Sequence, residues 1–138
     1  MTQREIRETI GNNTFVVLLD NTPAAHRLSL RLYFRFGIVS YICGEPRTRD
    51  LIDFSSRTLR IGKTSCARLR AEELTVLADS QAPLLPLLIP CSKEACEFAA
   101  RYAEILEGHY LLLDARTALV RSPLTAAAER LRGVPYHS

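Results

Sequence analysis

The feature that most constrains this chain is a short apolar run, Thr14 to Leu19 (TFVVLL), bounded by polar residues and shut by Asp20-Asn21-Thr22-Pro23. It is rich in β-branched and aromatic types, too short for a helix, and shows no alternation. Such a run is a strand buried on both faces, and strands of that kind belong to parallel sheets covered by helices. The residues that follow fit this reading. Thr22 is a natural N-cap and Pro23 suits the first helical position. Ala25, Leu28, Leu32 and Phe36 then recur at helical spacing, with Arg27, Arg31 and Arg35 on the opposite face, and Gly37 is a C-terminal stop. Ile38 to Cys43 (IVSYIC) is a second strand. Strand, helix and strand within about 30 residues make a βαβ unit, whose crossover is right-handed.

The alternation continues along the chain. Thr48 to Phe54 reads as a short helix or helical turn. Arg57 to Ile61 alternates and is expected as an edge strand. Ala71 to Ser80 is a helix with Leu74, Leu77 and Ala78 inward. Leu84 to Ile89 is a buried strand between Pro83 and Pro90. Ser92 caps a helix running to Gly108, with Glu94 near the positive end of its dipole. Tyr110 to Leu113 is a short fifth strand, and Ala118 to Leu131 has helical period. The expected fold is α/β: one doubly wound, Rossmann-like open parallel sheet in the order 3-2-1-4, strand five beside strand four, with helices on both faces. Residues 1–116 form the α/β domain and 117–138 a linker-like helix and tail.

The 138 residues suffice for one core, and 47% apolar with 24% charged is the composition of a globular domain. The four cysteines (Cys43, Cys66, Cys91, Cys96) lack zinc-knuckle spacing, and three scattered histidines add no ligand set, so no metal is expected. The first residues, MTQREIRETIGNN, lack the apolar core of a signal peptide, and no apolar stretch approaches the ~20 residues that span a bilayer. The expected setting is cytoplasmic, with reduced thiols and no membrane contact.

In a 3-2-1-4 sheet the winding direction reverses between strands one and four, and ligands bind outside the carboxyl ends of the strands at that switch. The crevice is expected to be lined by Asp20, Asn21 and Thr22 from one loop and Pro90, Cys91 and Ser92 from the other. His26 is placed one turn into the first helix, to lean over it. The loop LDNTPAAH contains no glycine, so it lacks the phosphate-approach geometry of a dinucleotide fingerprint, and no nucleotide cofactor is expected. Cys91 stands where a strand enters a helix N-terminus, a position that favours a thiolate. A catalytic nucleophile is therefore an alternative, although Glu97 occupies the place of the phosphatase arginine. From Phe54 to Ala71 there is no acidic residue, and Arg57, Arg60, Lys63, Arg68 and Arg70 supply five positive charges. We read these as the solvated charges of an edge strand rather than a nucleic-acid surface, because no aromatic residues interleave with them. A regulatory module that dimerises through this edge is a third reading.

Three segments in order, FVVLLDNTPAAHRLSLRLYFRFGIVSYIC, SSRTLRIG and PLLPLLIPCSKEACEFAARYAEILEGHYLLL, resemble the N-terminal pre-ATP-grasp domain of ATP-grasp carboxylate–amine ligases, in the group similar to carbamoyl-phosphate synthase and D-aspartate ligase. In that family a Ser-Arg pair precedes an exposed strand, matched here by Ser56-Arg57. An apolar strand then enters a Pro-Thr-Ser-Asp-Glu turn, which here reads Pro90-Cys91-Ser92-Lys93-Glu94. Leu124 to Pro135 (LTAAAERLRGVP) is similar to the family's linker helix ending in Gly-Ile-Pro. Cysteine replaces threonine and lysine replaces aspartate in the turn, and Arg121-Ser122-Pro123 stands where the family has a lysine. The sequence given ends at His137-Ser138, where the nucleotide-binding lobes would begin. The resemblance therefore implies a scaffold domain, non-catalytic by itself. It would bind a small carboxylate or amino acid, and its partners would be an ATP-grasp catalytic subunit or a second copy of itself.

Overall fold

A computed structural model describes residue 4 and residues 13–44, 56–59 and 67–113. The elements, in chain order, are β1 (Thr14–Leu19), α1 (Pro23–Phe36), β2 (Ser40–Cys43), β3 (Ser56–Leu59), α2 (Ala67–Ser80), β4 (Leu85–Pro90), α3 (Lys93–Arg101), α4 (Ala103–Leu106) and β5 (Leu111–Leu112). The five strands form one sheet in the order β3-β2-β1-β4-β5, and every pairing is parallel. This is the expected doubly wound sheet.

β1 lies at the centre because it has no polar side to give to water. All five residues from Phe15 to Leu19 are buried. Alternate residues serve opposite faces. Val16 and Leu18 join Ala25, Leu28, Leu32 and Phe36 of α1, with Ile42, Leu87 and Ile89 from the neighbouring strands. Phe15, Val17 and Leu19 join Ala71, Leu74 and Ala78 of α2, Ala95 of α3, and Leu106 and Tyr110. Helices thus cover both faces, α1 on one and α2 to α4 on the other.

The ends of α1 follow the sequence signals. Thr22 is extended (φ −126°, ψ 161°), and its hydroxyl accepts the Ala25 N–H at 3.2 Å. Gly37 takes the left-handed conformation (φ 69°) that ends the helix, its N–H bonding the Tyr33 carbonyl at 2.9 Å.

Several boundaries differ from expectation. α2 begins at Ala67 rather than Ala71. Its first three residues face solvent and so carry no apolar period, while Arg68 pairs with Glu72 one turn on at 3.6 Å. The single helix expected from Ser92 to Gly108 is two. Tyr102 leaves helical geometry (φ −107°, ψ 22°), its ring packed against Phe98 at 5.2 Å between centroids and lying under the Arg101 guanidinium. β2 starts at Ser40 rather than Ile38, which packs beneath α1 before the strand begins. β4 includes Pro90, paired with Leu19. Of the expected third strand, Arg57 to Ile61, residues 57–59 fall within the described residues, as part of β3 (Ser56–Leu59). It lies at the sheet edge, as its alternation implies. The expected helical turn at 48–54, the tail helix at 118–131 and the boundary at 116 lie outside the described residues. No helix among the described residues is long and apolar enough to cross a membrane.

Candidate functional site

Parallel register fixes where the loops emerge. Leu19 pairs with Cys43 on one side and Pro90 on the other, so β1, β2 and β4 end level with one another. Asp20 and Cys91 therefore leave the sheet side by side, where α1 turns to one face and α3 to the other. The Cys91 N–H bonds the Leu19 carbonyl, carrying the β1–β4 pairing one residue past the strand ends.

Two further bonds join the loops. The Thr22 hydroxyl donates to the Cys91 carbonyl at 3.3 Å, and the Ser92 hydroxyl donates to Asp20 Oδ2 at 3.4 Å. Each hydroxyl also accepts a backbone N–H of its own helix, Ala25 for Thr22 and Ala95 for Ser92, at 3.2 and 3.0 Å. The two N-caps thus do double duty, terminating α1 and α3 and tying the loops together. Asn21 is buried, and its Oδ1 accepts from His26 Nε2 at 2.8 Å. His26 therefore turns to Asn21 rather than to Asp20. The six residues singled out in the sequence (Asp20, Asn21, Thr22, His26, Cys91, Ser92) lie together at the carboxyl edge of the sheet.

Gly44, just past β2, closes the floor beside Asn21. Its φ is +148°, and a Cβ there would stand 3.0 Å from Asn21 Cβ and 3.3 Å from Asn21 N. Both the dihedral and the contact require glycine.

The residue that sequence reasoning missed is Arg70. It lies in the first turn of α2 and reaches across β1 to the crevice. Its Nη2 donates to Asp20 Oδ1 at 2.5 Å, and its guanidinium lies 5.3 Å from the centroid of the Phe98 ring. The sequence showed its charge but assigned it to a solvated edge. The usable signal was topological: in a parallel sheet the helix after β3 must start at the same edge where β1 ends.

Cys91 is a half-buried residue before the Ser92 cap, and the nucleophile alternative finds no geometry to support it. Its side chain packs against the core on the α1 side, and its thiol points to the Ile89 carbonyl at 3.5 Å. Burial pushes the Cys91 thiol up to about 12 from 9.0, with Cys96 and the Asp20 carboxylate adding smaller contributions in the same direction. The helix N-terminus does not make it a thiolate at neutral pH, because the thiol faces the sheet and not the free N–H groups of α3. Cys43, wholly buried under the crevice, is raised to about 12 by the same cause. Among the described residues no three His, Cys, Asp or Glu side chains are grouped to hold a metal.

In chemical terms this edge carries a guanidinium paired with a carboxylate, two hydroxyls and the N-terminus of α3 capped by Ser92. That set suits a small, polar, singly charged ligand carrying an anionic end. Comparisons with protein-family models, with curated proteins and with solved structures found no match to this chain.

Proposed function

We propose that this chain is a pre-ATP-grasp-like scaffold domain, non-catalytic by itself, that holds a small carboxylate or amino acid at the switch-point crevice and works with an ATP-grasp catalytic partner. The observation that carries the reading is the joining of the two loops at the reversal of winding, Thr22 to Cys91 and Ser92 to Asp20. Open α/β sheets bind their ligands at that place. Supporting it, the three segments that resemble the pre-ATP-grasp domain supply β1-α1-β2, β3 and β4-α3 of a single sheet. The nucleophile reading of Cys91 gains nothing from the site, since its half-buried thiol packs on the apolar layer and its pKa is pushed up.

The test is a calorimetric titration of the full chain with the proteinogenic amino acids, acetate and succinate. Saturable binding of at least one carboxylate at a single site, weakened when Ser92 is changed to alanine, is the expected result. An absence of saturable binding across the whole panel would remove the reading.

A further inference from the structure

The contact between Arg70 and Asp20 has two features that a plain structural ion pair does not require. Asp20 meets the guanidinium through Nη2 alone, while the Arg70 Nε–H is shielded from solvent with no acceptor among the described residues. A guanidinium recognises a carboxylate best side-on, through two parallel N–H groups. Half of that fork is idle here. The pair is also within reach of a solute, since the Arg70 and Asp20 side chains are 24% and 32% exposed. The second Asp20 oxygen takes only a long contact, 3.4 Å, from Ser92. A tethered carboxylate therefore occupies the cation of a switch-point crevice without completing its hydrogen bonding.

We infer that Arg70 is the residue that reads a ligand carboxylate in this crevice, and that Asp20 is a built-in occupant which the ligand displaces. The inference rests on the crevice reading above and adds the anchor and the competitor. Phe98, under the guanidinium, keeps its plane fixed while the carboxylates exchange. The Ser92 hydroxyl, released by Asp20, becomes available to the incoming oxygen. Occupation by Asp20 lowers the apparent affinity by the fraction of molecules in which Arg70 is engaged. The crevice then ignores weak anions and admits only a ligand whose remaining contacts outweigh the tether.

The test measures acetate affinity by NMR titration of the full chain, with each variant first checked for a dispersed native spectrum. Asp20→Asn should bind acetate about tenfold tighter than the parent, as expected for removal of a competitor that is engaged most of the time. Glu104→Gln takes the same formal charge from the exposed face of α4, away from the two loops and without touching Arg70, and should change affinity by less than about twofold. Arg70→Met should abolish saturable binding. Arg70→Lys, which keeps the charge but loses the fork, should bind more weakly than the parent and covers the case in which the methionine variant does not fold. If Asp20→Asn binds no tighter than a parent that does bind, the displacement idea fails and the crevice reading survives. Equal gains in Asp20→Asn and Glu104→Gln would reduce the effect to general charge and overturn it. Unchanged binding in either Arg70 variant would overturn Arg70 as the reader. Absence of acetate binding in both parent and Asp20→Asn would take this inference down, and the amino-acid titration would decide the crevice reading separately.

Discussion

Leu18→Ala is expected to lower stability by about 3–4 kcal/mol. For a chain of this size that is a fall of roughly 10–15 °C in the melting midpoint. Leu18 is 0% exposed and sits in the central strand of the sheet. It pairs laterally with Ile42 and Ile89, and all three lie in the layer that receives Leu28 and Leu32 of α1. The three strands are held in register by their neighbours, so the sheet cannot close over a missing isopropyl group, and the loss includes a cavity as well as lost burial. Val76→Ala is the matched comparison. Val76 faces outward on α2 at 68% exposure, and its truncation should shift stability by less than about 0.5 kcal/mol. Urea unfolding of both variants checks this. A cost below about 1 kcal/mol for Leu18→Ala would be incompatible with the packed two-faced sheet.

The second large effect is alkaline destabilisation. The Cys43 and Cys91 thiols are raised from 9.0 to about 12 in the folded chain. Below pH 9 both folded and unfolded chains hold these protons, and the thiols make stability no function of pH. Between pH 9 and 12 the unfolded chain releases them while the folded chain keeps them, so stability falls as pH rises. One pH unit above the unfolded value the loss is about 1.4 kcal/mol for each thiol, or roughly 2–3 kcal/mol together. Tyr110, buried and donating to the Leu74 carbonyl at 2.7 Å, is raised in the same direction and steepens the fall above pH 10. Unfolding free energies at pH 8, 9, 10 and 10.5 should decline along this course. Cys43→Ala should lose less between pH 9 and 10 than the parent, by about 1 kcal/mol. Parallel declines in the two proteins would show that the Cys43 thiol ionises freely in the folded state.

The strand order and the meeting of the two loops could be read from sequence because each rests on short-range signals that agree. TFVVLL needs cover on both faces, Thr22 and Pro23 start a helix, and Gly37 ends it, so β1-α1-β2 leaves little freedom. Once the sheet is parallel, Asp20 to Thr22 and Cys91 to Ser92 have to emerge at one edge. What sequence did not show depends on contacts between elements. The first turn of α2 has no buried face, so hydrophobic period could not mark its start. The break at Tyr102 is a local departure of its backbone from helical dihedrals, and the apolar spacing runs through it without interruption. Arg70 looked like one more surface cation because its partners, Asp20 and Phe98, are 50 residues upstream and 28 downstream in the numbering, and only the folded sheet brings the three together. The Cys91 thiol was read from its place before a helix, whereas its protonation follows from the apolar layer on which it packs.

That the two loops at the reversal of winding form a carboxylate-binding crevice is tested most directly by mapping amide shifts of the isotopically labelled chain during titration with L-aspartate and, separately, acetate. The account predicts saturating shifts concentrated at Asp20, Asn21 and Thr22 and at Cys91 to Ala95, with little change on the outer face of α1. Shifts that saturate instead around the exposed Leu30 and Phe34 of that helix, or none that saturate at all, would contradict it.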